Sequence, residues 1–351
     1  MTHSHRAPAH FSRRGVLGLA ALVAVPAAAF GVLQARAKTP PAEATTGGAG
    51  RDVPAAAAPS PSTAPKIITS GGGPVPYPAG RTMLGAYLDL DGMSEAAAVR
   101  MRRKQLGRDL RILHVFYAWT DVLPDRIAWL PDKAVPMISW RGTGYAEILS
   151  GAHDDLIRRN ARALKRFGRP VLLRWGWEMN GDWYTWSAAK NGNDASGYVQ
   201  CWRHLRKLFA EEGAGNVSWV WSPNWNDSPQ AGWNTKAEFY PGDEHVDWVG
   251  VSGYNLNREI PGDLFGKIYA DYAGRKPLMI AEVGAVDRGG RTKADWITLL
   301  AEWVKANPAV GAVVWFDTDT HYNYHEKWRV DTSPEALAAY VAMARDPHFS
   351  G

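Results

Sequence analysis

From Arg81 onward the chain is organised by eight short apolar runs, at 83–88, 111–118, 135–140, 171–177, 217–222, 247–252, 277–282 and 310–316. Each is too short for a stable helix and reads as a buried strand. Helical periodicity fills the gaps. Leu156, Ile157, Leu164 and Phe167 share one face, as do Tyr198, Trp202, Leu205 and Phe209, and Trp296, Leu299, Leu300 and Trp303. Ser333-Pro334-Glu335 opens a last helix, with an N-cap serine and proline at the first helical position. Strands that alternate with helices build a parallel sheet, and eight of them in one such span predict an α/β fold of the (β/α)8, or TIM, barrel type. A doubly wound open sheet is the alternative, but the Gly-rich phosphate loop it would carry is absent.

The first 80 residues have a different character. Ser12-Arg13-Arg14-Gly15-Val16-Leu17 resembles a twin-arginine motif, a mild apolar stretch follows to Phe30, and Ala35-Arg36-Ala37 fits a small-x-small cleavage site. Residues 1–37 are therefore expected to be a signal peptide that exports a folded protein, with secretion as the outcome. An uncleaved membrane anchor is the alternative, disfavoured by Pro26 within a short, Ala-rich stretch. Residues 38–80, rich in Pro, Ala, Thr and Gly and including Gly71-Gly72-Gly73, read as an unstructured linker, and 81–351 as the catalytic domain. The net charge of +5 comes largely from the leader, since Arg6, Arg13, Arg14 and Arg36 have no acidic counterpart there. What remains is nearly neutral, which gives no support to nucleic-acid binding. Cys201 is the only cysteine, so no intrachain disulfide is possible, and it reads as a small buried hydrophobe. No stable membrane partner is read, and a monomer is the expected state.

In a barrel of this kind chemistry sits at the C-terminal ends of the strands. Those ends read Tyr87-Leu88-Asp89-Leu90-Asp91, Phe116-Tyr117-Ala118-Trp119, Ser139-Trp140-Arg141, Arg174-Trp175-Gly176-Trp177-Glu178, Trp221-Ser222-Pro223-Asn224, Ser252-Gly253-Tyr254-Asn255, Ala281-Glu282-Val283-Gly284 and Trp315-Phe316-Asp317. Nearly all are aromatic or polar, whereas the strand bodies are apolar. Glu178 is ringed in sequence by Trp175, Trp177, Trp183, Tyr184 and Trp186, and the chain holds 17 Trp in all, enough to line a groove for a flat-faced sugar. Glu178 and Glu282, on the fourth and seventh strand ends, would face each other across the barrel mouth. Two carboxyls roughly 5 Å apart suit retaining glycoside hydrolysis, one as proton donor and the other as nucleophile.

The stretch Trp-Glu-Met-Asn-Gly-Asp-Trp-Tyr-Thr-Trp at 177–186 resembles the acid/base signature of glycoside hydrolase family 26. Trp-Ser-Pro-Asn at 221–224 and Ala-Glu-Val-Gly at 281–284 are similar to its other landmarks, and the resemblance covers residues 81–345. It implies activity on β-mannan most often, with β-glucan and β-xylan as variants, and no cofactor. It further implies that Glu178 is the acid/base, that Glu282 is the nucleophile, and that the Tyr254 hydroxyl bonds the nucleophile. Trp315 would be the platform under the reacting sugar, and Trp183 and Trp186 would line the cleft. The family usually has His before the acid/base glutamate, and here Trp177 stands there. That departure predicts an apolar face in place of a hydrogen-bonding one, and hence an enzyme not highly selective for mannan.

Asn224 and Asp317 are further candidates for sugar contact, as are Asp89 and Asp91. Arg174 is counted with the substrate-binding residues, although partnership with a site carboxylate is the stronger reading. His321 and His325 have i,i+4 spacing beside Glu326, but Tyr322, Asn323 and Tyr324 read as a loop and no metal is expected. His114 and His204 fall within a strand and a helix. Two other functions are compatible with the pattern, a non-catalytic carbohydrate-binding barrel and an enzyme acting on the producer's own envelope polysaccharide.

Overall fold

The computed structural model describes residue 68, residues 70–319 and residues 328–351. The segment with Arg13 and Arg14, the linker up to residue 67, and His321, His325 and Glu326 lie outside the described residues. Every expected run is a strand: β1 Met83–Asp89, β2 Ile112–Tyr117, β3 Val135–Trp140, β4 Val171–Trp175, β5 Val217–Trp221, β6 Trp248–Asn255, β7 Leu278–Ala285 and β8 Val310–Thr318. They pair in sequence order as a closed, all-parallel barrel. The closing pair sets Leu84 against Val313 and Ala86 against Trp315, which rules out the open sheet.

Strand alternation divides the apolar residues into two cores. Met83, Ile112, Met137, Leu172, Val220, Met279 and Val314 fill the barrel. Leu84, Leu113, Ile138, Leu173, Ile280 and Val313 point outward, beneath the helices. Those helices are α1 Glu95–Leu106, α2 Tyr145–Leu149, α3 Asp154–Phe167, α4 Ala195–Glu211, α5 Pro261–Tyr272, α6 Thr292–Ala306 and α7 Pro334–Arg345. Their ends carry the expected chemistry. Ser94 and Ser333 cap α1 and α7 through their side chains, Pro261 and Pro334 open α5 and α7, and Gly107 and Gly168 close α1 and α3 in the left-handed region.

The linker reading needs correction at its C-terminal end, because residues 70–80 plug the barrel floor. Val75 and Tyr77 are buried in the inner core, 2% and 7% exposed. The Val75 amide donates to Ser218 Oγ at 2.8 Å, and Ser218 Oγ donates to the Gly72 carbonyl at 2.7 Å. The Trp248 indole donates to the carbonyls of Gly72 and Val75, both at 3.0 Å. Composition pointed to disorder, but a few apolar side chains suffice when a preformed cavity receives them. Gly72 belongs to this fit: at φ 91° a Cβ would lie 2.5 Å from the Val75 carbonyl oxygen.

Candidate active site

At the end of β4 the chain turns twice into the left-handed region, at Gly176 and at Glu178, both with φ 52°. The second costs about 1 kcal/mol for a residue with a side chain, so its surroundings must hold it. The Glu178 amide donates to the Ser222 carbonyl at the end of β5, at 2.8 Å. Two residues on, Asn180 is fully buried. Its Nδ2 donates to the Asn224 carbonyl at 3.0 Å and to Asp227 Oδ1 at 2.8 Å, and its Oδ1 accepts from the Asn224 amide at 2.8 Å. Its own carbonyl accepts from Asn234 Nδ2 at 2.8 Å, and Lys236 completes the cluster by donating to Asp227 at 2.9 Å. Asn180 thus locks the loop after β4 to the loop after β5. Nothing in the Asn180-Gly181 sequence tells a turn residue from a buried clamp.

Glu282 reaches the barrel interior through an irregularity in β7. Met279 and Ala281 face inward, so strict alternation would send Glu282 outward. The register against β6 shifts there: Val251 pairs with Ile280, but Ser252 pairs with Glu282, leaving Ala281 as an extra residue. This bulge brings Glu282 to the inner face beside Ala281. There Arg174 donates to Glu282 Oε1, and the Tyr254 hydroxyl donates to Oε2 at 2.6 Å. Arg174 is itself fixed, with Nη1 3.2 Å from Ser139 Oγ and Nη2 2.5 Å from Ser252 Oγ. Ser139 in turn meets the buried His114 ring at 2.6 Å. Burial, and the Arg174 charge, push His114 well below the usual histidine range, so its ring is neutral.

The two carboxyls have opposite settings. Glu282 is held by a guanidinium and a phenol, as suits a carboxylate. Glu178 receives one fixed donor, the Trp183 indole, at 3.0 Å on Oε2. Burial, followed by repulsion from Glu282, raises Glu178 to about 7, against the lowering effects of Arg174, Ser252 and Trp183. Both carboxyls are nearly buried, 6% and 5% exposed. One acid that stays protonated near neutrality beside one anchored carboxylate is the asymmetry that proton donation and nucleophilic attack require.

Several expected ligand contacts are placed elsewhere. Trp315 is fully buried on the outer face of β8, its indole bonded to the Trp328 carbonyl at 2.8 Å and its ring against Trp296 and Tyr340. Ala312 and Val314 face inward, so alternation turns Trp315 outward and Phe316 inward. Phe316 stacks on Tyr87 at 5.2 Å and meets Tyr254 edge-on at 5.8 Å. Trp177 and Trp186 are each 3% exposed and form the wall behind the mouth, with the Arg174 guanidinium 5.2 Å from the Trp177 ring. Trp183, 45% exposed, is the member of the trio that reaches the surface. Arg174, fully buried beneath Glu282, is a carboxylate partner and is out of reach of a sugar. Asn224 joins the Asn180 clamp, its Oδ1 taken by the Asn226 amide at 3.0 Å. Asp317 faces away from the mouth and pairs with buried Arg102 at 2.9 Å. The Asp91 amide donates to Asp319 at 2.7 Å, and Tyr87 lies 3.4 Å from Asp89. Cys201 is buried, and burial pushes its thiol up to about 12. Among the described residues no cluster of His, Cys, Asp and Glu is arranged to hold a metal ion, and no helix is long and apolar enough to cross a membrane.

Residues 133–341 match the profile of Glycosyl hydrolase family 26. Endoglucanase H of Acetivibrio thermocellus is 34% identical over 264 residues, 70% of this chain and 28% of that protein. Mannan endo-1,4-beta-mannosidase A and B of Caldalkalibacillus mannanilyticus is 28% identical over 173 residues, 47% of this chain and 31% of that protein. The chain therefore spans less than a third of the length of either relative. Among solved structures, Bacillus subtilis mannanase BCman has the same fold, with a TM-score of 0.54 at 21% identity over 74% of this chain and 85% of that one. The profile spans well over half of the sequence and takes in both Glu178 and Glu282, and on that ground the chain belongs to glycosyl hydrolase family 26.

Proposed function

We propose that this chain is a retaining endo-β-glycosidase that cleaves a β-linked polysaccharide by double displacement. Glu282 attacks the anomeric carbon while Glu178 gives its proton to the departing glycosidic oxygen, leaving a covalent glycosyl-enzyme. Glu178, now ionised, takes a proton from water, which attacks the same carbon and frees Glu282. Arg174 and Tyr254 keep Glu282 oriented in both steps. The observation that carries the reading is the unequal setting of the two carboxyls, Glu282 bonded by Arg174 and Tyr254 and Glu178 raised to about 7.

For the polymer we propose β-glucan ahead of β-mannan. The relative matched over 70% of this chain is named an endoglucanase, and Trp177 removes the imidazole that the resemblance leads one to expect before the acid/base. The test is the full chain against β-glucan, β-mannan and β-xylan, with products and the anomer first formed identified. Retention with kcat/KM on glucan equal to or above that on mannan is expected; a preference for mannan beyond about a hundredfold, roughly 2.7 kcal/mol, removes the glucan assignment. Glu282→Ala should be inactive and regain turnover of an activated substrate with azide, giving inverted product; a fully active Glu282→Ala ends the nucleophile assignment. Export by the folded-protein route is part of the same proposal, and Arg13→Lys with Arg14→Lys should retain the protein inside the cell.

A further inference from the structure

We infer that Trp183 is a positioning residue that holds Glu178 by Oε2 and so makes Oε1 the oxygen that carries the transferable proton. The inference rests on the reading of Glu178 as proton donor and adds which of its oxygens does the work. The Trp183 indole Nε1 lies 3.0 Å from Oε2. An indole nitrogen donates and cannot accept. A proton on Oε2 directed at it would set two donors face to face, so protonation falls on Oε1.

The other groups around Glu178 do not impose this choice. Glu282 on β7 and Arg174 on β4 act on the carboxyl as charges, and Tyr254 on β6 spends its hydroxyl on Glu282. The Ser252 hydroxyl, also on β6, accepts from Arg174 at 2.5 Å and can rotate to serve either form of Glu178. Trp183 is the one-way partner, and its ring is seated from below. Its ring lies on the backbone of Gly181, where an added Cβ would come within 2.4 Å of it, and Gly181 follows the clamped Asn180. Glycine at 181 is thus what lets the indole descend far enough to reach the carboxyl.

The test uses Trp183→Phe in the full chain, which keeps an aromatic face and deletes the donor. Removing a donor to the charged form raises the Glu178 pKa, so the alkaline limb of kcat/KM should move up by about half to one pH unit. On polysaccharide kcat should fall about tenfold with KM within about threefold, while kcat/KM on an aryl glycoside whose leaving group needs no proton is spared. A change in KM alone, with the pH limb unmoved, makes Trp183 a wall of the mouth and overturns the inference. A second readout needs no turnover. In the ¹H–¹⁵N spectrum the indole signal missing from Trp183→Phe belongs to Trp183. It should shift with pH through the ionisation of Glu178 and lose that dependence in Glu178→Gln. An indole signal indifferent to both overturns the inference. Wild-type inactivity on every polymer would count against the proposed function alone, and the spectrum would still decide the role of Trp183.

Discussion

Tyr254 donates its hydroxyl to Glu282 Oε2 at 2.6 Å while the other oxygen is taken by Arg174, so the candidate nucleophile is gripped from β6 and β4 at once. Tyr254→Phe removes one grip and leaves the aromatic packing against Phe316 and Trp328. A hydrogen bond to a charged group is worth about 1.5–3 kcal/mol, so kcat should fall roughly 10- to 100-fold with Tm within a few degrees of wild type. Steady-state kinetics and thermal unfolding of the purified variant check this; unchanged kcat would show that Arg174 alone orients Glu282.

The Asn180 clamp can be tested by exchange. Asn180→Asp sets a carboxylate where an amide now donates to Asp227 at 2.8 Å, and should cost about 2 kcal/mol or more together with most of the activity. Adding Asp227→Asn restores one donor and one acceptor across the same contact. The double variant should recover part of both Tm and kcat, measured side by side with the single one, because the Asn224 carbonyl still lacks its donor and Lys236 its carboxylate. No recovery would mean that the contact does not hold the loop.

As the candidate acid/base, Glu178 would tie activity to stability through pH. Its value rises from 4.5 to about 7, so between those values the folded chain keeps a proton that the unfolded chain releases. Stability therefore falls as pH climbs through that window, and the loss is complete above it. Glu178→Gln cannot ionise. Its Tm should match wild type below pH about 4.5 and pull ahead up to pH about 7, by no more than about 3 kcal/mol in stability. A Tm difference that is flat with pH would show that Glu178 is not raised. The same shift predicts that wild-type kcat/KM declines above pH about 7, where the proton is lost.

Deleting residues 70–80 should be harmful although they precede the first strand. Each of Val75 and Tyr77 contributes about 2 kcal/mol by burial, and Ser218 and Trp248 lose their partners with them. A chain starting at residue 81 should unfold at a markedly lower temperature than one starting at residue 62, or fail to accumulate. Equal melting temperatures would make the plug dispensable.

The sequence carried the barrel plainly because its strands are covered on both faces and read as unbroken apolar runs. β6 and β7 extend to Asn255 and Ala285, beyond the expected ends, because the polar mouth breaks the apolar signal before the hydrogen-bonding ends. Both carboxyls were legible from their strand ends, but their orientations were not. Parity along β8, counted from Ala312 and Val314, would have turned Trp315 outward, whereas parity along β7 would have misplaced Glu282, since the extra residue at Ala281 leaves no mark in composition. The Asn180 clamp and the plug depend on partners 44 or more residues distant and could not be read locally.

The barrel floor gathers more than the plug. The Gly351 amide donates to the Thr82 carbonyl at 3.2 Å, and Ser350 bridges Met83 at the start of β1, so residues 350 and 351 lie at the same pole that residues 70–80 fill. Glu178 and Glu282 open at the other pole. For anyone who would anchor this barrel to a bead, a surface or a fused module, either end of residues 70–351 offers an attachment point that turns the mouth away from the support. Joining the two ends and reopening the chain in a helix-side turn is the corresponding route to a circularly permuted form.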